Sequence, residues 1–167
     1  MKVFVAGARA IIHLDDNVKQ RLSNMILNNI SVLVGDANGA DKAVQQFFHK
    51  ADYADVMVYA MKGKPRNNMG NWKVKEIQPT GNSTGFDYYA TKDLKMAEDA
   101  DYGFMIWNGK SKGTLNNIIT LISQNKKILV YFTPERRCYT VSDFSSLENL
   151  LKNCDDDINS LVEKLKS

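Results

Sequence analysis

Two apolar runs in this chain each break into a glycine-rich turn that opens directly into an amphipathic helix, at Val32–Val44 (VLVGDANGADKAV) and at Tyr102–Asn117 (YGFMIWNGKSKGTLNN). A strand that ends in glycine and passes at once into a helix is a βα crossing. Two of them in a short chain constrain it to an α/β fold with a mostly parallel sheet. Such crossings also make anion sites. Glycine lets backbone approach a ligand, hydroxyls at Ser111 and Thr114 add donors, and the unbonded amides of the first helical turn point above the strand end.

The rest of the pattern agrees. Lys2–Ala6, Ile30–Val34, Asp55–Tyr59, Tyr102–Trp107 and Lys127–Phe132 read as strands. Asp15 or Asp16 caps a helix to about Asn28, and helical periodicity returns at Gly39–His49, Asp87–Asp99 and Thr114–Gln124. These elements predict one Rossmann-like domain, a mostly parallel sheet of about five strands flanked by helices, with the ligand over the carboxyl ends of the strands. Between Met61 and Gly85 the rhythm fails. Gly63, Pro65, Asn67, Asn68, Gly70, Pro79, Gly81 and Gly85 read as one long loop, expected to be a mobile lid. A core over residues 1–135 is followed by a C-terminal piece of the same domain, 136–167, with an edge strand at Cys138–Val141 and helices at Phe144–Leu151 and Ile158–Leu165.

Composition narrows the functional classes. The chain has 167 residues, about one domain. Its 22 basic residues nearly balance 19 acidic ones, and no run of Lys and Arg forms a face, so nucleic acid is not expected as a partner. Cys138 and Cys154 fit no metal spacing and read as reduced thiols of a cytoplasmic protein. His13 and His49 are too scattered for a metal site. The start of the chain enters a strand pattern without a signal region, and no apolar stretch approaches membrane-spanning length.

Several residues stand where chemistry would need them. Gly7 ends the first strand and Arg9 follows, placed for bidentate contact with a phosphate or carboxylate. Gly35, Asp36, Gly39 and Asp41 make the second crossing; Asp41 also fits a helix-start carboxylate favoured by the dipole. Ser111, Gly113 and Thr114 form the anion turn, with one of Lys110 and Lys112 expected at the ligand. Lys92 and Asp93 read as a charged pair on a solvated helix face. Tyr88, Tyr89, Trp72 and Trp107 fit core packing or stacking on a base. No Ser-His-Asp or Cys-His arrangement is present, and no cofactor is implied.

GDANGADKAV together with WNGKSKGTLNNI resembles the SLOG superfamily, the Rossmann-like group that joins the DNA-processing protein DprA and the LOG phosphoribohydrolases. The likeness runs from Val3 to about Phe132 and is nearest the small YspA-like branch, whose GARGAD-type and WDGxSxGT-type turns are matched at Asp36–Asp41 and Trp107–Thr114. It implies a phosphate- or nucleotide-binding domain, and it brings in homodimer formation, since related domains commonly self-associate. LOG enzymes carry an RKxxM and a PGGxGTxxE segment whose Arg and Glu cleave the bond between base and ribose phosphate. Here Lys92 stands in place of that arginine and Asn117 in place of the glutamate. Losing a carboxylate from acid–base work removes about 10²–10⁴-fold of rate. The expected function is therefore binding or sensing of a nucleotide-derived or other phosphorylated ligand. The alternative is an N-glycosidic hydrolase or transferase in which Asp36, Asp41 or Asp93 takes the missing carboxylate's role. A DprA-like contact with single-stranded DNA is disfavoured by the lack of a basic groove.

Overall fold

The computed structural model describes residues 1–81 and 84–166. Strands and helices follow in the order β1 (Lys2–Gly7), α1 (Asp16–Leu27), β2 (Ser31–Gly35), α2 (Ala40–Lys50), β3 (Val56–Met61), β4 (Lys73–Ile77), α3 (Gly85–Asp99), β5 (Tyr102–Trp107), α4 (Lys112–Ser123), β6 (Ile128–Phe132), β7 (Arg137–Val141), α5 (Phe144–Leu151) and α6 (Asp156–Lys166). They build one α/β domain around a seven-stranded sheet of order β4-β3-β2-β1-β5-β6-β7, parallel except for the β6–β7 pair.

The two-residue period of the strands sorts the core into two layers. Val3 and Val5 of β1, with Val32 and Val34 of β2, face α1 and α2 through Val18, Leu22, Val44 and Phe48. Phe4 and Ala6 face the other way, where Met105, Trp107, Val130 and Phe132 meet α3, α4, α5 and α6 through Met96, Leu115, Ile118, Leu147 and Ile158. Strands covered on both faces read as continuous apolar runs, which is why β1, β2, β5 and β6 stand out in the sequence.

Two strands join the five of the expected core, one of them anticipated and one not. β7 extends the anticipated edge strand by one residue, to Arg137, and returns antiparallel through the turn after Phe132. β4 lies inside the stretch expected to be a single loop, pairing in parallel with β3 from Met57↔Lys73 to Met61↔Ile77. Its sequence, KVKEI, alternates charge with small apolar patches because it is a half-covered edge. The remaining connection is also built. Gln45 Nε2 donates to the carbonyls of Gly35 and Asn67 at 2.8 and 3.1 Å, and Gln45 Oε1 accepts from the Met69 amide at 2.9 Å. Trp72 donates its indole N–H to the Tyr53 carbonyl at 2.9 Å. Asn82 and Ser83 of the expected loop lie outside the described residues.

The chain order reverses direction between β1 and β5, where the crossovers diverge to opposite ends of the sheet. This switch point leaves a crevice at the carboxyl ends of both strands.

Candidate functional site

The crevice is a cleft of about 660 Å³. Both glycine turns reach it, along with one face of α3. Its size is that of a small-molecule site, for which about 300–1,000 Å³ is usual.

The turn after β5 is organised from within. Asn108 Oδ1 accepts from the amides of Lys110 and Ser111 at 3.0 and 2.9 Å, and the Trp107 indole donates to the Ser111 carbonyl at 2.9 Å. Ser111 caps α4, its Oγ accepting from the Thr114 amide at 3.3 Å and from the Thr114 hydroxyl at 3.0 Å. Thr114 is thus buried and engaged in the cap, while the first-turn amides of Lys112 and Gly113 have no partner within the helix. Nothing lies within 4 Å of a Cβ built on Gly113, so this glycine opens onto the cleft.

Gly7, Gly35 and Gly39 are closed. A Cβ on Gly7 would stand 2.6 Å from the Ile106 carbonyl oxygen and 2.7 Å from Ala40 Cβ, so Gly7 lets α2 seat against β1 and β5. Gly39, at φ 82°, presses against the Arg9 backbone, with a Cβ 2.2 Å from the Arg9 carbonyl oxygen. At Gly35 the missing side chain makes room for chemistry: its Cβ would lie 2.4 Å from Asp41 Oδ2 and 2.9 Å from Lys92 Nζ. Gly7, Gly35 and Gly39 therefore shape the cleft by packing, and Gly113 is the one of the four that exposes backbone to it.

Beneath the turns lies a charged cluster that joins β2, α2, α3 and the β3–β4 connection. Asp36 is held through both oxygens by Arg66, the guanidinium donating at 2.8 Å and the amide at 2.9 Å, and Lys92 Nζ approaches at 3.4 Å. Burial alone would raise this carboxyl, but the Arg66 hydrogen bonds and the Lys92 charge outweigh it and hold Asp36 below its ordinary value. Asp41 is the opposite case. Burial pushes it up to about 6 against the pull of Lys92, and it accepts from the Ala37 amide at 3.2 Å. Asp93, a quarter exposed, is also raised by burial, with Lys92 and the neighbouring Asn117 amide opposing the shift.

Lys92 corrects the sequence reading. Instead of lying on a solvated helix face it is 3% exposed, because Asp36, Asp41 and Asp93 surround its ammonium with carboxylates from three elements. Arg9 is exposed, makes no ion pair among the described residues, and stands 5.6 Å from the Tyr89 ring centroid; Arg66 covers the same ring at 4.5 Å. Tyr89 and Phe86 form an aromatic wall, whereas Trp107 is core, fully buried against Phe132. Lys110 and Lys112 are exposed at the rim and likewise carry no ion pair among the described residues. Every residue singled out in the two turns borders the cleft except Asp36 and Gly39, which build the wall behind it. Arg66 went unnoticed in the sequence, since nothing in the KGKPRNN run says that its arginine returns to the end of β2.

The described residues include no helix long and apolar enough to cross a membrane and no group of acidic, His and Cys side chains suited to a metal ion. No protein-family model and no curated protein matches the chain. Among solved structures, one from work on the single-stranded DNA binding mode of DNA processing protein A from Helicobacter pylori is similar over 98% of this chain and 81% of that chain, with a TM-score of 0.62 and 13% identity. That likeness overturns the expectation that nucleic acid is no partner: a fold of this kind serves a single-stranded DNA-binding protein, so balanced net charge excludes nothing. The chain thus shares the Rossmann-like architecture of DNA processing protein A across almost its whole length.

Proposed function

We propose that the cleft at the carboxyl ends of β1 and β5 binds a nucleotide-derived or other phosphorylated ligand. Its phosphate lies against the Ser111 hydroxyl and the amides of Lys112 and Gly113. The observation that carries this reading is the bare backbone at Gly113: Gly35 and Gly39 of the other turn are packed against protein, whereas a Cβ on Gly113 meets nothing within 4 Å. Arg9, Lys110 and Lys112 add uncompensated positive charge around the same turn, and Tyr89 and Phe86 offer a surface for a base. The GDANGAD and WNGKSKGT turns support a place near the YspA-like branch of the SLOG superfamily.

Calorimetric titration with nucleoside monophosphates and with inorganic phosphate tests the reading, and chromatography of the same mixtures for free base tests the N-glycosidic alternative. Saturable binding without release of base is the expected result. Absence of any binding to phosphate-bearing ligands overturns it.

A second reading has its own support in the likeness to DNA processing protein A, in which the phosphate belongs to a single strand of DNA. Strand binding is strongly salt-dependent, because each neutralised phosphate releases counterions. Fluorescence anisotropy of a labelled oligonucleotide across a salt series separates the two. Tight, salt-sensitive strand binding with no response to mononucleotides would replace the first reading by the second.

A further inference from the structure

The floor of the cleft carries hydrogen-bonding capacity that the protein does not use. Lys92 is 3% exposed and borders the cleft, yet among the described residues its ammonium makes one hydrogen bond, 3.4 Å to Asp36, while Asp93 at 3.9 Å is beyond hydrogen-bond reach. An ammonium has three donors. A buried cation left with spare protons is costly unless something accepts from them. Asp36 is already engaged on both oxygens, Oδ1 accepting from the Arg66 guanidinium as well as from Lys92 and Oδ2 from the Arg66 amide. Asp41 and Asp93 border the same space and are pure acceptors when ionised.

The missing group must therefore accept from an ammonium and donate to carboxylates. Phosphate meets the first demand and fails the second, because its charge would face Asp41 and Asp93. A hydroxyl meets both, donating one proton while accepting through its lone pairs. Neighbouring hydroxyls at a fixed distance from a phosphate are what a ribose phosphate presents. We infer that Lys92, Asp41 and Asp93 hold the ribose hydroxyls of the ligand whose phosphate sits at the start of α4, so that the site selects ribose over 2-deoxyribose. This rests on the phosphate-binding reading above and deepens it.

The test compares ribose 5-phosphate, 2-deoxyribose 5-phosphate and inorganic phosphate by calorimetry in the wild-type protein, in Asp93→Asn and in Lys92→Met. Neither sugar carries a base, so a base edge cannot stand in for the hydroxyls. Ribose 5-phosphate is expected to bind the wild type at least about tenfold more tightly than its deoxy counterpart, as for a hydrogen bond to a charged group, with the gap closing to within about threefold in the variants. Circular dichroism checks that each variant folds, and the wild-type comparison stands without them. Equal affinity for the two sugars in the wild type overturns the sugar assignment and leaves the phosphate site standing. A gap that persists in both folded variants overturns the assignment to these residues. If none of the three compounds binds, both the inference and the reading beneath it fall. Selection for ribose would also count against a DNA strand, which has no 2-hydroxyl.

Discussion

Arg66 grips Asp36 twice, its guanidinium on one carboxylate oxygen at 2.8 Å and its own backbone amide on the other at 2.9 Å. The pair spans 30 residues and fastens the β3–β4 connection to the end of β2. Asn67 strengthens the same seam by donating to the Asp36 carbonyl at 2.8 Å and to Asn38 Oδ1 at 3.0 Å. A segment whose glycines and prolines suggest a loose lid is thereby stitched to the wall of the cleft, and its arginine covers the face of Tyr89.

Arg66→Ala should loosen that seam. Asp36 is almost fully buried, so losing the guanidinium leaves its charge to Lys92 alone; Arg66 is a third exposed, which limits the loss. We expect roughly 1–3 kcal/mol of destabilisation in urea unfolding, together with faster amide exchange at Arg66 and Met69. Unaltered exchange at those amides would mean that the backbone bonds hold the connection without the side chain.

Asp41 gives stability a pH dependence of a sign opposite to that of Asp36. Its folded value of about 6 lies above the ordinary 3.8, so between these two the folded protein holds a proton that the unfolded chain has released. Stability contributed by this group is full below the lower value and falls as pH rises through the upper one. Asp41→Asn cannot ionise, and it should be more stable than the wild type by about 1–3 kcal/mol at about pH 8, with the difference gone near about pH 4. Urea unfolding of both proteins at the two pH values measures this. A less stable Asn variant at high pH would show that Lys92 needs the carboxylate more than burial opposes it.

The parts of this molecule that were legible in its sequence are those governed by neighbours in the chain. β1, β2, β5 and β6 are apolar runs because both faces are covered, and the two βα turns announce themselves because glycine, hydroxyl and helix start must be adjacent to work. β4 was illegible because an edge strand with one partner needs little apolar surface, and KVKEI between Gly- and Pro-rich stretches reads as loop. Lys92 was illegible for a different reason. A lysine beside an aspartate on a helix has the same local pattern whether or not a buried carboxylate 56 residues away receives it. Thr114 stands between these cases: its place in the turn was readable, but not that its hydroxyl donates to Ser111.

Asn117→Glu separates binding from latent catalysis. The side chain is buried next to Asp93, at the position where the resemblance to LOG enzymes calls for a glutamate. In a dedicated binder the added charge repels Asp93 and the ligand phosphate. Affinity for a nucleoside monophosphate should then fall by about threefold to tenfold, equivalent to roughly 0.7–1.4 kcal/mol, with no free base on chromatography. Release of base faster than in the wild type would turn the reading towards an N-glycosidic enzyme that has lost one carboxylate.

The anion turn itself is tested by two substitutions with opposite consequences. Gly113 has no positive φ among the described glycines and a Cβ there meets nothing within 4 Å, so Gly113→Val should fold normally and, with glycine removed from a helix, keep or slightly gain stability. Its isopropyl group would project into the cleft and bar the phosphate from the amides, lowering affinity for a nucleoside monophosphate by at least about tenfold. Thr114→Ala removes a buried hydroxyl that already serves the Ser111 cap, so it should cost about 0.5–1.5 kcal/mol in unfolding while affinity changes little. Calorimetry and urea unfolding on both variants read the two effects independently. If Gly113→Val folds and binds as well as the wild type, the glycine faces empty space rather than a ligand, and the turn after β5 does no more than join a strand to a helix.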